Sequence, residues 1–192
     1  MRIPWDEYFM MIARLVSTRS TCLRRQVGAV IVRGKRILAT GYNGQLPGLW
    51  HCSEETQCYY GCPTRECEES RACPYVPAYR EKFRKVGCCK QVKGDARYCR
   101  AVHAEANAIC QAAAMGIPLN GAVIYSTTKP CPECIKLIAS VGIKRVYYEE
   151  DYYQDDPELW RFWASEAGKT GIDFVRLVVT PEALKLARAV LE

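Results

Sequence analysis

Residues 103–148 read HAEANAICQAAAMGIPLNGAVIYSTTKPCPECIKLIASVGIKRVYY and alternate between helical and extended patterns. The pattern predicts, in chain order, a helix over 104–115, a buried strand over 122–126, a helix that opens at 130–132 and runs to about Val141, and a strand over 143–148. Gly116 and Pro118 end the first of these helices. Helices that alternate with buried strands are typical of an α/β fold.

The sequence on either side continues this alternation. We predict an amphipathic helix over 5–16, a hairpin of 27–32 and 36–40 with its turn at Gly34, a helix over 157–168, a strand over 172–179 and a helix over 181–191. Arg14 is turned away from the apolar side of the first helix. Residues 41–48 hold three glycines and one proline, which predicts a loop. We therefore expect a mixed sheet covered by helices.

Length and composition indicate one globular domain. The chain has 192 residues, of which 49% are hydrophobic and 25% charged, and this usage excludes a disordered chain. No apolar run approaches the roughly 20 residues that a membrane-spanning helix needs, so we expect no membrane partner. Residues 1–7 contain one basic residue and then two acidic ones, which is unlike a secretory signal. We therefore expect a cytoplasmic protein.

The net charge is +6, and basic residues are concentrated near the N-terminus. They include Arg19, Arg24, Arg25, Arg33, Lys35 and Arg36. A basic region of this size suits a phosphorylated small molecule at least as well as a polynucleotide. A solvated basic face without a ligand is the alternative.

Cysteine is unusually abundant. The chain has 12 cysteines, and eight of them fall between Cys52 and Cys99. Without a signal peptide, thiols are expected to stay reduced, and clustered thiols then favour zinc; a disulfide framework would fit only a hyperthermophilic source. Residues 52–99 also lack a sustained periodicity. We predict a single domain over 1–192 that carries a Cys-rich zinc-binding insertion over 52–99.

Two short motifs carry the chemistry. His103-Ala104-Glu105 is followed by Pro130-Cys131-Pro132-Glu133-Cys134. A His-x-Glu followed by Pro-Cys-x-x-Cys is the signature of zinc deaminases that act on nucleobases. One imidazole (His103) and two thiolates (Cys131 and Cys134) supply three ligands of tetrahedral zinc and leave the fourth position open for water. Zinc lowers the pKa of such a water towards neutrality.

Glu105 is the candidate catalytic residue. It is close enough in sequence to reach the water, from which it would take a proton and pass it to the ring nitrogen and the departing amine. Within a regular helix, residues i and i+2 point about 200° apart and cannot share a cavity. We therefore expect His103 at the edge of the helix, in or before its first turn.

Five blocks of sequence resemble the deoxycytidylate (dCMP) deaminase branch of the cytidine deaminase superfamily, which includes bacterial late-competence proteins of deaminase type. The blocks are Arg19-Ser20-Thr21-Cys22, Gly41-Tyr42-Asn43-Gly44, His103 to Ile109, Thr127 to Cys134 and Glu150-Asp151-Tyr152. They cover most of 5–50 and 99–153. The zinc motif marks the superfamily, and the Gly-Tyr-Asn-Gly block marks the dCMP branch.

The resemblance implies a fold and an activity. The fold is a cytidine-deaminase-like three-layer sandwich, with a mixed five-stranded sheet between helices and the zinc between two helix starts. The activity is hydrolysis of dCMP to dUMP and ammonia in pyrimidine deoxynucleotide metabolism, which acts on a cyclic amidine C–N bond. The family also implies a homo-oligomer, usually a hexamer, and dCTP or dTTP as effectors.

The resemblance also suggests which residues contact the nucleotide. Asn43 would lie near the sugar, although an ordinary turn residue is the alternative. The Ala104 backbone and Ser126 or Thr127 would line the base pocket. Tyr152 would close over the nucleotide, and a core or surface tyrosine is the alternative.

Some family members carry a second, structural zinc. The corresponding cysteines here are Cys22, Cys52 and Cys99, with Cys58 or His51 as the fourth ligand. The remaining cysteines of the insertion could hold a further zinc or stay as free thiols. Metal-binding positions other than the catalytic one therefore stay open at this point.

Two other functions compete with a nucleotide deaminase. A polynucleotide deaminase acting on tRNA or single-stranded DNA would need a long basic channel lined by aromatic residues. The tyrosines and basic residues of the insertion fit that reading weakly, so the sequence favours a small nucleotide over nucleic acid. A non-enzymatic zinc-binding module would not need the intact set of His103, Glu105, Cys131 and Cys134.

Overall fold

The computed structural model describes residues 2–22, 25–49, 51, 99–151 and 156–191. The chain divides into two compact units, one of residues 1–20, 27–43 and 103–192 and the other of residues 21–26 and 44–102. The elements, in chain order, are α1 (Trp5–Ser17), β1 (Gly28–Arg33), β2 (Arg36–Tyr42), β3 (Gly44–Gln45), β4 (Ala101–Val102), α2 (Ala104–Ala114), β5 (Val123–Thr128), α3 (Pro132–Ser140), β6 (Arg145–Glu150), α4 (Pro157–Gly168), β7 (Asp173–Arg176) and α5 (Pro181–Leu191).

The first unit is built on a five-stranded sheet of order β2-β1-β5-β6-β7. Strand β1 runs antiparallel to its two neighbours, β2 and β5, whereas β5, β6 and β7 run parallel to one another. The β1–β2 hairpin turns through Gly34 and Lys35, which have φ of 54° and 62° and so lie in the left-handed region that a tight hairpin requires. The predicted mixed sheet and its hairpin are confirmed.

Helices pack on both faces of this sheet. Side chains along a strand alternate between the two faces, so both faces carry apolar residues that the helices bury. Ala29, Ile31 and Ile124 pack with α2, α3 and α4 in one buried cluster. Val30 and Tyr125, their neighbours along the same strands, pack with α1 and α5 in a second cluster. The three-layer arrangement implied by the family resemblance is therefore present.

The loop predicted over 41–48 was wrong in its first half, because β2 continues through Gly41 to Tyr42 and the short strand β3 occupies Gly44–Gln45. A Cβ on Gly41 would lie 2.3 Å from the carbonyl oxygen of Ala104 and 2.4 Å from the backbone nitrogen of Ala108. The glycine is present because α2 runs directly against the strand there, and no side chain fits between them.

The last strand is shorter than predicted over 172–179. Strand β7 ends at Arg176, and the apolar residues Leu177 and Val179 instead pack with α1 in the second cluster. An apolar run by itself does not distinguish a paired strand from an extended segment that buries side chains, which explains the error.

The second unit contains a two-stranded antiparallel sheet in which Gly44 pairs with Val102 and Gln45 with Ala101. Thr21 Oγ1 and His51 Nδ1 lie 3.2 Å apart in the same unit. Most of the predicted Cys-rich insertion over 52–99 lies outside the described residues. Its boundaries, and the prediction of a single domain over 1–192, stay predictions.

None of the helices in the described ranges combines the length and the apolar character needed to cross a lipid bilayer.

Candidate metal centre and catalytic carboxylate

Two helix starts bring the sequence motifs together. His103 is the N-cap of α2, with an extended backbone (φ −69°, ψ 155°). Cys131 is the N-cap of α3 in nearly the same conformation (φ −71°, ψ 166°), and Pro132 follows at the first helical position. His103 precedes the first turn and has an extended backbone. The helical geometry that would point the side chains of residues i and i+2 in nearly opposite directions therefore does not apply to His103 and Glu105. The expected position of His103 at the helix edge is confirmed.

His103, Cys131 and Cys134 form a compact group of ligand atoms. The Nδ1 atom of His103 lies 3.3 Å from the Sγ of Cys131 and 3.5 Å from the Sγ of Cys134. All three ligand atoms lie within 4.8 Å of one another. Within the described part of the chain, this is the one group of three or more such residues placed to hold a metal ion. His103 is exposed, Cys131 is half-buried and Cys134 is buried, so the group opens towards solvent on the histidine side.

The chemistry of these donors fits zinc. One imidazole and two thiolates match the ligand set of catalytic zinc sites that leave one position for water. The adjacent side chains of Cys134 and then His103 lower the pKa of Cys131 to about 4, which favours the thiolate. The same contact with Cys131 raises the pKa of His103 to about 9, so metal binding would release protons.

Glu105 lies beside this group with its carboxylate held on both oxygens. Ser126 Oγ donates a hydrogen bond to Oε1 at 2.9 Å, and the Cys134 thiol donates to Oε2 at 3.5 Å. The residue is only 3% exposed. This burial raises the pKa of Glu105, whereas the nearby His103 opposes that shift. A buried carboxyl with a raised pKa is suited to accept a proton and to deliver it.

The residues expected to contact a nucleotide have different surroundings. Ala104 and Ser126 are fully buried, and Ser126 contacts Glu105. Thr127 Oγ1 accepts a hydrogen bond from the backbone nitrogen of Gly28 at 3.1 Å. Asn43 is buried, and its Oδ1 accepts from the backbone nitrogen of Val27 at 2.8 Å. These are all contacts within the protein. The expected contacts of the same residues with a nucleotide stay predictions.

Only part of the predicted second zinc site lies in the described part of the chain. Tyr152, Cys52 and Cys58 lie outside the described residues. Cys22 and Cys99 are described and are half-buried. The predicted second zinc therefore stays a prediction.

Sequence reasoning did not find Trp160. Its indole Nε1 donates a hydrogen bond to the carbonyl oxygen of Pro130, the residue before Cys131, at 3.0 Å. The sequence predicts that Trp160 lies in a helix. Its contact with Pro130 joins residues 30 positions apart, so no local sequence pattern predicts it.

Comparison with known proteins identifies the family. The model of the cytidine and deoxycytidylate deaminase zinc-binding region matches residues 3–150. The chain belongs to this family, and the resemblance predicted from the sequence is confirmed.

Individual relatives agree with this assignment. The chain is 40% identical over 151 residues to ComE operon protein 2 of Bacillus subtilis (strain 168), a match that covers 79% of this chain and 62% of that protein. It is also 40% identical over 150 residues to the deoxycytidylate deaminase of Mycobacterium phage D29, covering 78% of this chain and 98% of the phage protein. The match therefore spans less than two thirds of the Bacillus protein.

A solved structure shows the same fold. The dCMP deaminase from the cyanophage S-TIM5, in complex with dCMP and dUMP, superposes with a TM-score of 0.62 at 26% identity. The match covers 92% of this chain and 99% of the cyanophage chain.

Proposed function

We propose that the protein is a zinc-dependent deaminase that hydrolyses dCMP to dUMP and ammonia, a hydrolase acting on a cyclic amidine C–N bond. The observation that carries the proposal is the buried Glu105 carboxylate, which lies against a zinc-type group of one histidine and two cysteines. A purely structural zinc site would fill its fourth position with a strong ligand and would not need this carboxylate.

The residues divide the chemistry between them. His103, Cys131 and Cys134 would hold the ion, and Glu105 would move protons. Bound zinc supplies a Lewis acid that makes water nucleophilic at neutral pH. As the oxygen of the attacking water bonds to C4 of the cytosine ring, Glu105 takes one of the water's protons and gives it to N3. Glu105 then takes the second proton from the new hydroxyl group and gives it to the amino group, so that the C4–N4 bond breaks and ammonia leaves. Ser126 keeps one carboxylate oxygen in a fixed orientation.

The choice of dCMP is supported by the relatives. The phage protein with 40% identity is a deoxycytidylate deaminase, and the cyanophage structure holds dCMP and dUMP. We propose Asn43, Ala104, Ser126, Thr127 and Tyr152 as the residues that contact this nucleotide. The basic residues of the N-terminal part suit its phosphate.

The test is a substrate panel for the zinc-loaded full chain. Ammonia release is measured with dCMP, cytidine, dCTP and a short cytosine-containing single strand, each with wild-type protein and with Cys134→Ser. We expect release from dCMP by the wild type only. Release from the single strand but not from dCMP would replace the proposed substrate with a polynucleotide. An absence of ammonia with all four would indicate a non-enzymatic zinc-binding module.

Further parts of the proposal concern metal count and regulation. We propose a second zinc held by Cys22, Cys52, Cys99 and Cys58, a cytoplasmic homo-oligomer, and dCTP and dTTP as effectors. Metal analysis of Cys131→Ser/Cys134→Ser protein should then still give about one zinc per chain. Sedimentation should give a species several times the chain mass, and loss of all zinc in the double variant would contradict the second site.

A further inference from the structure

The segment that carries the first thiol has little freedom of its own. Cys131 lies between Pro130 and Pro132, and each proline fixes its own φ and removes a backbone donor. A residue before proline is restricted to extended conformations, in agreement with φ −71° and ψ 166° at Cys131. The position of the Cys131 sulfur therefore depends mainly on the orientation of the peptide that joins Pro130 to Cys131.

One hydrogen bond sets the orientation of that peptide. Trp160 on α4 donates from Nε1 to the carbonyl oxygen of Pro130 at 3.0 Å. Pro130 is fully buried and Trp160 is half-buried, so water competes poorly for the carbonyl oxygen. The bond joins α4 to the chain one residue before a zinc-type ligand.

The indole is itself held on several sides. The Nζ of Lys129 lies 4.8 Å from the centroid of the Trp160 ring, in a cation–π contact. Tyr148 and Phe174 make edge contacts with the ring, at centroid distances of 6.0 and 5.6 Å. Asp156 caps the start of α4 with its side-chain oxygen. The direction of the indole N–H is therefore fixed by both the sheet and the helix.

We propose that Trp160 is a positioning residue for the metal centre: its N–H fixes the Pro130 carbonyl and so holds the Cys131 thiolate in place for zinc. This inference rests on the proposed function only in requiring that His103, Cys131 and Cys134 bind zinc. Some hydrogen bonds orient metal ligands although their donors do not contact the metal. Removing such a bond typically lowers metal affinity or activity about 10- to 100-fold.

A matched pair of variants isolates the hydrogen bond. Trp160→Phe keeps an aromatic ring in the core but removes the N–H. Trp163→Phe is the control, because Trp163 lies on the same helix, packs against the same cluster and also has a lysine over its ring, with Lys136 Nζ at 4.5 Å. Trp163 also makes an edge contact with Phe162, at a centroid distance of 5.3 Å, and the donor to the Pro130 carbonyl is Trp160.

Zinc affinity is measured by chelator competition, and Co²⁺ absorption reports the geometry of the thiolate ligands. Because other cysteines of the chain can bind metal, the signal of this site is defined as the part that Cys134→Ser removes. Thermal unfolding in excess chelator measures the folding of each variant separately from its metal binding.

We expect Trp160→Phe to weaken zinc binding at this site about tenfold and to shift the thiolate–cobalt bands. Trp163→Phe should stay within about twofold of wild type, and the two variants should unfold at similar temperatures in chelator. Equal affinities and equal spectra for the two variants would overturn the role of Trp160 and leave the proposed function intact. A wild-type protein whose metal signal is unchanged by Cys134→Ser would overturn both proposals.

Discussion

At the scale of single residues, the position of Glu105 suits the proposed proton transfer and leaves the three proposed metal ligands unchanged when Glu105 is replaced. Its carboxylate is buried, accepts from Ser126 on one oxygen and faces Cys134 with the other. The residue lies two positions after His103, yet both side chains converge because His103 is outside the helix.

Replacing Glu105 with alanine should separate metal binding from turnover. We expect zinc content close to that of the wild type and a fall in kcat of at least about 10²- to 10⁴-fold, because the variant lacks its proton carrier but keeps all three ligands. Zinc is counted by metal analysis and turnover by ammonia release. Loss of the metal together with activity would show that Glu105 is a ligand.

Replacing Ser126 with alanine should have a smaller effect on the same step. The change removes the 2.9 Å donor to Glu105 Oε1, so the carboxylate loses a fixed orientation. We expect a fall in kcat of about tenfold with zinc affinity preserved, as is typical of the loss of one hydrogen bond to a charged group. Ser140→Ala is the control, because that exposed hydroxyl donates only to a backbone carbonyl within α3. Equal kcat values for Ser126→Ala and Ser140→Ala would contradict this role.

The sequence predicts the residues of the centre better than their supports. Two short motifs contain all four residues of the centre, namely His103, Glu105, Cys131 and Cys134. Local spacing in the sequence is therefore enough to predict their chemistry. The contact of Ser126 with Glu105 spans 21 residues and depends on how α2 lies over β5. A single sequence carries no signal for such a packing relation.

At the scale of elements, the start of α2 is set by its contact with β2. Gly41 allows the backbone of the strand to approach the carbonyl of Ala104, which lies between His103 and Glu105 in the sequence. The sequence composition around Gly41 predicts a loop because three glycines occur within eight residues. Glycine that permits close packing and glycine that permits a turn look alike in a sequence.

Gly41→Ala should therefore disturb both stability and the metal centre. The added methyl group meets backbone atoms at 2.3 and 2.4 Å, which forces the helix away from the strand. We expect destabilisation of about 1–3 kcal/mol, measured by urea unfolding, and weaker zinc binding. Gly168→Ala at the end of α4 is the control, because a Cβ there meets no atom within 4 Å. If the two alanine variants were equally stable, the close approach would not constrain the fold.

At the scale of the whole molecule, a charged pair joins the first helix to the sheet. Glu149 on β6 is 5% exposed, and both its oxygens accept from Arg14, with Nε at 2.7 Å from Oε2. The backbone nitrogen of Val179 also donates to Glu149, at 3.2 Å. The prediction that Arg14 turns away from the apolar side missed this partner, because it lies 135 residues further along the chain.

Arg14→Ala should destabilise the fold, since it leaves the Glu149 carboxylate buried without its counter-charge. Because Arg14 is itself 37% exposed, we expect about 2 kcal/mol, below the range for fully buried pairs. Arg145→Ala is the control, because its pair with Asp173 is exposed on both sides. That variant should change the free energy of unfolding much less than Arg14→Ala does, because solvent screens an exposed pair. Similar losses for both would show that burial of Glu149 does not matter.

The bond between Trp160 and Pro130 has a consequence for how the protein matures. Every proposed donor to the ion is synthesised before α4, because the donors all precede Trp160 in the chain. A nascent chain that ends before α4 contains the two thiols and the imidazole. It lacks the hydrogen bond from Trp160 that orients the Cys131 thiol. We therefore expect tight zinc binding only after α4 has been synthesised. A fragment that ends before α4 would lose its zinc more readily to competing chelators in the cell.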